Sequence, residues 1–160
     1  TIAIGHQLGQ MSSGVIHVYH DVPTSTGTVD HVVVCNLGVY AVNVVARRAS
    51  RGETVYLKNN HLHFSGAAES LSVANLLARN TRLGKHLRQV TGRPIRVRSV
   101  VAVPGFDIAE QSDECHLLVN ERTSSMLLGW KDTTSFLMDD DVSAIRQALQ
   151  NTNGKRRRAA

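Results

Sequence analysis

Two valine-rich runs with a turn signal between them constrain the fold of this 160-residue chain more than any other feature. The runs occupy residues 28–35 and 39–46, and Asn36-Leu37-Gly38 separates them. β-branched residues favour strands, and a two-residue loop joins strands that pair in antiparallel fashion. With Asn36-Leu37 as the loop, Cys35 pairs with Gly38. The sequence therefore predicts a β-hairpin with a defined register.

This register places a polar pair across two otherwise apolar strands. Asp30 lies opposite Asn43, and Val45 lies on the same face as Asn43, because side chains alternate along a strand. His31 points to the opposite face. A buried carboxylate needs hydrogen-bond partners or a metal ion to offset its desolvation. We therefore expect Asp30 to be hydrogen-bonded or to bind a metal ion.

The other predicted elements indicate the α/β class, with a central mixed β-sheet flanked by helices. Further strands are expected at residues 15–20, 54–57, 62–64, 95–103 and 114–120. A last helix is expected from Asp139 through Gln150, with acidic residues at its positive end. We expect one domain over residues 1–150 and a basic, flexible tail or linker over residues 151–160.

A central amphipathic helix is expected between the strands. Ser70 is its candidate N-cap, and the helix runs to about Val90 and ends at Gly92. Its predicted sheet-facing side consists of Val73, Leu76, Leu77, Asn80, Leu83, Leu87 and Val90. Its predicted basic side consists of Arg79, Arg82, Lys85 and Arg88.

Positive charge is concentrated in the middle of the chain. Residues 1–46 have no Lys or Arg, residues 47–98 have eleven basic and two acidic side chains, and residues 99–154 have three basic and nine acidic ones. This favours a polyanionic partner, with nucleic acid first and DNA preferred to RNA, or alternatively a protein with an acidic surface. The predicted phosphate contacts come from Arg47, Arg48, Arg51, Arg79, Arg82, Lys85 and Arg88. The aromatic candidates for stacking on a single strand are Tyr40, Tyr56 and Phe64.

The cysteines and histidines give no metal-binding spacing of the usual kinds. Two cysteines, Cys35 and Cys115, favour a reducing compartment, and we expect a cytoplasmic location. His61 and His63 share a strand face, and with Cys115 or His116 they form a weak candidate zinc site.

The apolar runs are too short for a transmembrane helix. We therefore expect no membrane contact from this part of the protein. The chain begins at Thr1 without Met, so we expect it to be a fragment of a larger protein with additional domains.

Three segments resemble, in order and spacing, the nuclease-related domain (NERD) family of the PD-(D/E)XK nuclease superfamily. They are Val29-Asp30-His31-Val32-Val33-Val34, Leu37-Gly38-Val39-Tyr40-Ala41-Val42 and Val100-Val101-Ala102-Val103. The resemblance covers about residues 14 to 104 and implies a restriction-endonuclease-like core. In that family an Asp and a Glu bind a divalent ion, and a Lys positions or activates the attacking water.

The chain departs from the family pattern at two of these three positions. Asp30 keeps the Asp, whereas Asn43 stands in place of the Glu and Val45 in place of the Lys. The family's helix Gln corresponds to Asn75 or Asn80, and Gly5-His6 stands where the first helix often has an acid. One carboxylate and one amide make a weak Mg²⁺ site, and a valine supplies neither charge nor hydrogen bond.

The resemblance leaves three functions open. The first is a nuclease-fold domain with a degraded metal site, which is non-catalytic, needs no cofactor and binds nucleic acid through its basic face. The second is an active Mg²⁺-dependent DNA endonuclease that uses Asp30 and a migrated acid, Glu69, with Lys58 or Lys85 as the displaced lysine. The third is a protein–protein interaction module.

Overall fold

The computed structural model describes residues 4–5, 16–110, 116–123 and 136–159, with no side-chain description for residues 153–159. The strands are β1 (His17–Thr24), β2 (Gly27–Cys35), β3 (Gly38–Val44), β4 (Thr54–Lys58), β5 (His61–Phe64), β6 (Leu71–Ser72), β7 (Val97–Ala102), β8 (Asp107–Ile108) and β9 (His116–Val119). The helices are α1 (Ala74–Thr91) and α2 (Asp139–Ala159), and Ile4 and Gly5 are also helical.

The main sheet of the described chain is mixed, as the sequence predicts. Its strand order is β1-β2-β3-β7-β9, with β1, β2 and β3 antiparallel and β3, β7 and β9 parallel. Cys35 pairs with Gly38 and His31 with Val42, so the predicted hairpin register is confirmed. A smaller sheet has the order β6-β5-β4-β8.

The core has three apolar clusters. One joins the helix-facing side of β2 and β3, including Val32 and Ala41, to α1 and α2. The second covers the opposite side of the main sheet, around Tyr40. The third packs the inner face of the small sheet, including Leu57, against Val101 of β7. The small sheet therefore lies against the end of the main sheet where β3 and β7 finish.

The start of α1 differs from its prediction. The helix begins at Ala74, and Ser70 is not its cap. The preceding residues, Leu71 and Ser72, pair with β5 as β6, so their backbone is held in a ladder before the helix can start. Val73 takes the N-cap position without a side-chain hydrogen bond. The pairing of β6 with β5 has therefore overridden the capping signal of Ser70.

The end of α1 agrees with its prediction, apart from Val90. Gly92 adopts a left-handed φ of 68° and its N–H is bonded to Arg88 O, which ends the helix. Leu83 and Leu87 are buried on the predicted face, but Val90 is 56% exposed. Val90 lies at the edge of the apolar stripe rather than at its centre, so the last turn leaves it in solvent.

The helix α2 extends past its expected end. It begins at Asp139 as predicted and continues beyond Gln150 to Ala159. Whether residues 151–160 serve as a linker stays a prediction. No helix among the described residues is both long enough and apolar enough to cross a membrane.

The start of α2 is fixed by Asp141. Its Oδ1 lies 2.6 Å from Nη1 of Arg93, and its Oδ2 accepts the Met138 N–H at 3.0 Å. The hydrogen bond from Arg93, and then the one from the Met138 backbone, lower the pKa of Asp141 below its ordinary value of 3.8. The carboxylate thus joins the first turn of α2 to the segment that follows α1.

We expect Asp141→Asn to lower the free energy of unfolding by about 0.5–1 kcal/mol at neutral pH, because it removes the charge but keeps an acceptor for Met138. The wild-type advantage is present above pH 3.8 and is lost as the pH falls through the lowered folded-state pKa. Urea denaturation at pH 7 and pH 3 measures both effects. Asp140→Asn is the control, since it removes the same charge from the same turn. An equal loss in the control would assign the effect to the helix dipole alone.

Candidate functional site

The residues that correspond to the family motif lie at the edge of the main sheet where β3 ends. The regular β2–β3 pairing stops at His31 and Val42. Beyond this pair, the Val44 N–H donates to a side chain of β2 rather than to its backbone: Oδ2 of the half-buried Asp30 accepts it at 2.7 Å. Asp30 is thus half-buried rather than buried, and it is hydrogen-bonded, which is one of the two arrangements expected for it.

Asn43 is held in a chain of buried side chains. Its Nδ2 donates to Asn80 Oδ1 at 2.9 Å, and Asn80 Nδ2 donates to Ser99 Oγ at 3.0 Å. All three residues are buried, and the chain links β3 to β7 through α1. Of the two candidate helix asparagines, Asn80 makes this contact and Asn75 is exposed. Asn43 thus faces the helix with its amide nitrogen already bonded.

Val45 lies on the same side of the sheet as Asn43 but belongs to the third core cluster. It is buried with Val55, Phe64 and Val101, and its N–H donates to Ala102 O at 2.9 Å. The surroundings of Val45 are apolar. A lysine at this position would need to extend out of the cluster to reach a phosphate.

Glu69, the candidate migrated acid, forms no three-ligand cluster with Asp30 among the described residues, and neither does Glu53, which follows β3. Glu69 is exposed in the segment between β5 and β6, and Glu53 is buried but accepts the Ser50 N–H at 3.0 Å. Across the described ranges, no three His, Cys, Asp or Glu side chains are placed to hold one ion. Mg²⁺ prefers octahedral oxygen ligands, and Asp30 and Asn43 would supply only one carboxylate and one neutral amide oxygen, which is a weak donor set for it.

The basic residues after β3 have different environments. Arg47 lies 4.3 Å above the Phe64 ring, and its Nη2 is 3.5 Å from Glu53 Oε2. Arg48 and Arg51 are exposed. Arg47 thus braces the β3–β4 connection, whereas the other two present their charge to solvent.

The four basic residues of α1 fall into two groups: two line a cleft, and two donate hydrogen bonds to backbone oxygens. Arg82 and Lys85 are exposed and line a cleft of about 380 Å³ together with His86 and the β1–β2 turn. Arg79 donates to Thr28 O at 3.3 Å, and Arg88 donates to Ile95 O at 3.0 Å. Arg88 is also exposed, but it is bonded to the backbone of Ile95. We call the cleft lined by Arg82 and Lys85 the basic cleft.

A histidine pair on the other face of the sheet has no signal in the sequence. His20 Nδ1 and His31 Nδ1 are 2.7 Å apart, with the rings edge to face. Burial, and then the charge of His20, lower the pKa of His31. His31 does point away from Asp30, as predicted, but its partner depends on the β1–β2 register, which the sequence left open.

The candidate zinc site is not formed with His116. His61 and His63 lie on the small sheet, whereas His116 lies on β9 of the main sheet, paired in register with Ser99. Cys115 lies outside the described residues. His116, Ser99 and Asn80 instead line a second cleft, of about 340 Å³, between α1 and the main sheet.

We expect Asn80→Ala to lower the free energy of unfolding by about 1–3 kcal/mol, because it leaves the buried amide nitrogen of Asn43 without its acceptor. Asn75→Ala is the matched control on the exposed side of the same helix and should change it by less than about 0.5 kcal/mol. Urea denaturation at pH 7 compares the two. Equal midpoints would show that the buried amide chain contributes no stability.

Comparison with known families agrees with this geometry. The family model described as nuclease-related domain (NERD) matches residues 3–104, which include the hairpin, the small β4–β5 hairpin, α1 and β7. The comparisons with curated proteins and with solved structures gave no match. The family match covers more than half of the 160 residues. The chain therefore belongs to the nuclease-related domain family.

Proposed function

We propose that this nuclease-related domain binds nucleic acid, with DNA preferred, and does not hydrolyse it. Membership of the family supports a nuclease-related role and interaction with nucleic acid. One observation carries the non-catalytic part: the side chain at the position of the family's second acid is an amide bonded into the core through Asn80. In this proposal the fold is kept and its metal site is lost.

The chemistry of the site supports a loss of hydrolysis. Removing one electrostatic donor near a reacting centre typically costs about 2.7–4 kcal/mol of transition-state stabilisation. Here both the second acid and the lysine are replaced, by Asn43 and Val45. Asp30 by itself, with one oxygen bonded to Val44 N, offers little to hold a divalent ion.

The exposed charge supports binding through the phosphate backbone. Arg82 and Lys85 at the basic cleft, and Arg48 and Arg51 after β3, present four cationic side chains to solvent. Contacts to phosphates position a protein on nucleic acid without reading its sequence. We therefore expect affinity that tolerates sequence and falls steeply with salt.

The cellular setting of this activity is part of the proposal. We infer that the domain acts within a larger protein in a reducing, cytoplasmic compartment. The compartment is supported by the cysteine usage: Cys35 is a buried free thiol, and the chain has one other cysteine.

The double variant Arg82→Ala, Lys85→Ala should weaken DNA binding and reduce the slope of log affinity against log salt by about 1.8, because each phosphate contact contributes about 0.9. Fluorescence anisotropy with a labelled duplex over a salt series measures this slope. The control is Arg93→Ala, Arg122→Ala, which removes the same charge from residues paired with Asp141 and Asp107.

Three results would contradict parts of the proposal. An unchanged salt slope in the Arg82→Ala, Lys85→Ala variant would show that DNA contacts the protein outside the basic cleft. If the protein does not bind DNA even at low salt, a protein–protein interaction module becomes the favoured function. Plasmid cutting that needs Mg²⁺ or Mn²⁺ and is abolished by Asp30→Ala would instead establish an active endonuclease, with Glu69 the first acid to test.

Restoring the family residues should restore ion binding. We expect Asn43→Glu with Val45→Lys to increase the affinity for Mg²⁺, because it places a second carboxylate opposite Asp30. Isothermal titration calorimetry of the folded variant measures this, and circular dichroism checks that the new lysine is tolerated. Asn75→Glu adds a carboxylate at an exposed position and should not change Mg²⁺ binding. An unchanged titration in the folded double variant would contradict the placement of residue 43 beside Asp30.

A further inference from the structure

We propose that the outer face of the β4–β5 hairpin is a stacking site for the bases of single-stranded nucleic acid. We call this surface the hairpin face and define it by Tyr56, Lys58, His61 and His63. The inference rests on the proposed function and extends it, since it assigns to unpaired strands a site separate from the basic cleft.

The strand register builds the hairpin face. Tyr56 pairs with His63 and Lys58 with His61, so the four side chains project from the same side of the two strands. The rings of Tyr56 and His63 are stacked, with their centroids 4.8 Å apart and their planes inclined by 13°. Tyr56 is 36% exposed. Because each ring covers only one face of the other, the pair keeps outer π surface for a further ring.

The hairpin face lines a cleft of suitable size and charge. The cleft has a volume of about 400 Å³ and is bordered by its four residues together with Asn59 and Ser70. Small-ligand sites typically measure about 300–1,000 Å³. Lys58 supplies a positive charge beside the rings, and Asn59 supplies amide donors and acceptors. Aromatic rings for bases and a cation for the phosphate are the combination that single-strand sites use.

The hairpin face is held rigid from behind. The inward side chains of the same strands, including Leu57, Leu62 and Phe64, are buried in the third core cluster. His61 Nδ1 also lies 3.3 Å from Ser70 Oγ. A preorganised ring pair loses little conformational entropy when a base stacks on it.

The other aromatic candidates are unsuitable for stacking. Tyr40 lies in the core under the Arg98 guanidinium, and Phe64 is buried beneath Arg47. Tyr56 is the candidate that the fold leaves accessible. The bases of a duplex already stack on one another, so an accessible ring pair favours unpaired nucleotides.

The test compares Tyr56→Ala with Tyr56→Phe in anisotropy titrations of labelled oligo-dT, oligo-U and an abasic oligomer of equal length. Tyr56→Ala should weaken binding to the base-bearing oligomers by about 5- to 150-fold, the factor that corresponds to stacking on one base. Tyr56→Phe should keep most of the affinity. The abasic oligomer should bind both variants equally, because it offers phosphates without bases. Tighter binding of oligo-dT would identify DNA as the source of the strand, and tighter binding of oligo-U would identify RNA.

Controls separate this site from the rest of the surface. Phe136→Ala removes an aromatic ring that is 48% exposed elsewhere and should leave binding unchanged. Lys58→Ala should lower the single-strand salt slope by about 0.7. Thermal unfolding followed by circular dichroism confirms that each variant is folded.

The outcomes distinguish the two proposals. Suppose that duplex binding depends on Arg82 and Lys85, and that Tyr56→Ala binds oligo-dT and oligo-U like the wild type. The hairpin-face site is then wrong, and the proposed function stands. Tyr56-dependent single-strand binding without duplex binding would support the hairpin face and overturn the basic cleft. Absence of binding to every oligomer at low salt would overturn both.

Discussion

The buried amide chain from Asn43 through Asn80 to Ser99 is the interaction on which the centre of this domain depends. Polar groups enclosed between a helix and a sheet are costly unless they bond to one another. Here one helix residue accepts from β3 and donates to β7, so it fixes how α1 lies over the two parallel strands. The position of α1 in turn sets the basic cleft, because Arg82 and Lys85 lie on the same helix.

The amide chain also bears on the proposed loss of the metal site. A carboxylate at position 43 needs a cation or hydrogen-bond donors to offset its burial, whereas the amide nitrogen of Asn43 donates to a neighbouring asparagine. Asp30 is likewise supported by a backbone N–H at Val44. The Oδ1 atom of Asn43 is buried and has no hydrogen-bond partner among the described residues.

Local patterns predicted much of this fold, and contacts between distant residues account for the rest. The valine runs and their two-residue loop determine the register that pairs Cys35 with Gly38, because one short turn fixes every later pair. Gly92 ends α1 for an equally local reason. Ser70 failed as a cap because β5, a separate strand, takes the residues that follow it. Tertiary placement determines the partner of His31, the role of Arg47 and the choice between Asn75 and Asn80. The spacing of apolar residues along the sequence does not determine that placement.

The clamp formed by Arg47, Glu53 and Phe64 has a mechanical consequence. It ties the chain leaving β3 to the inner side of the small sheet, in addition to the apolar cluster that the two sheets share. Glu53 is also packed so closely against Gly66 that a methyl group there would lie 2.9 Å from its carboxyl carbon. A nucleotide held on the proposed hairpin face would therefore lie on a sheet whose inner side is anchored to the end of the main sheet.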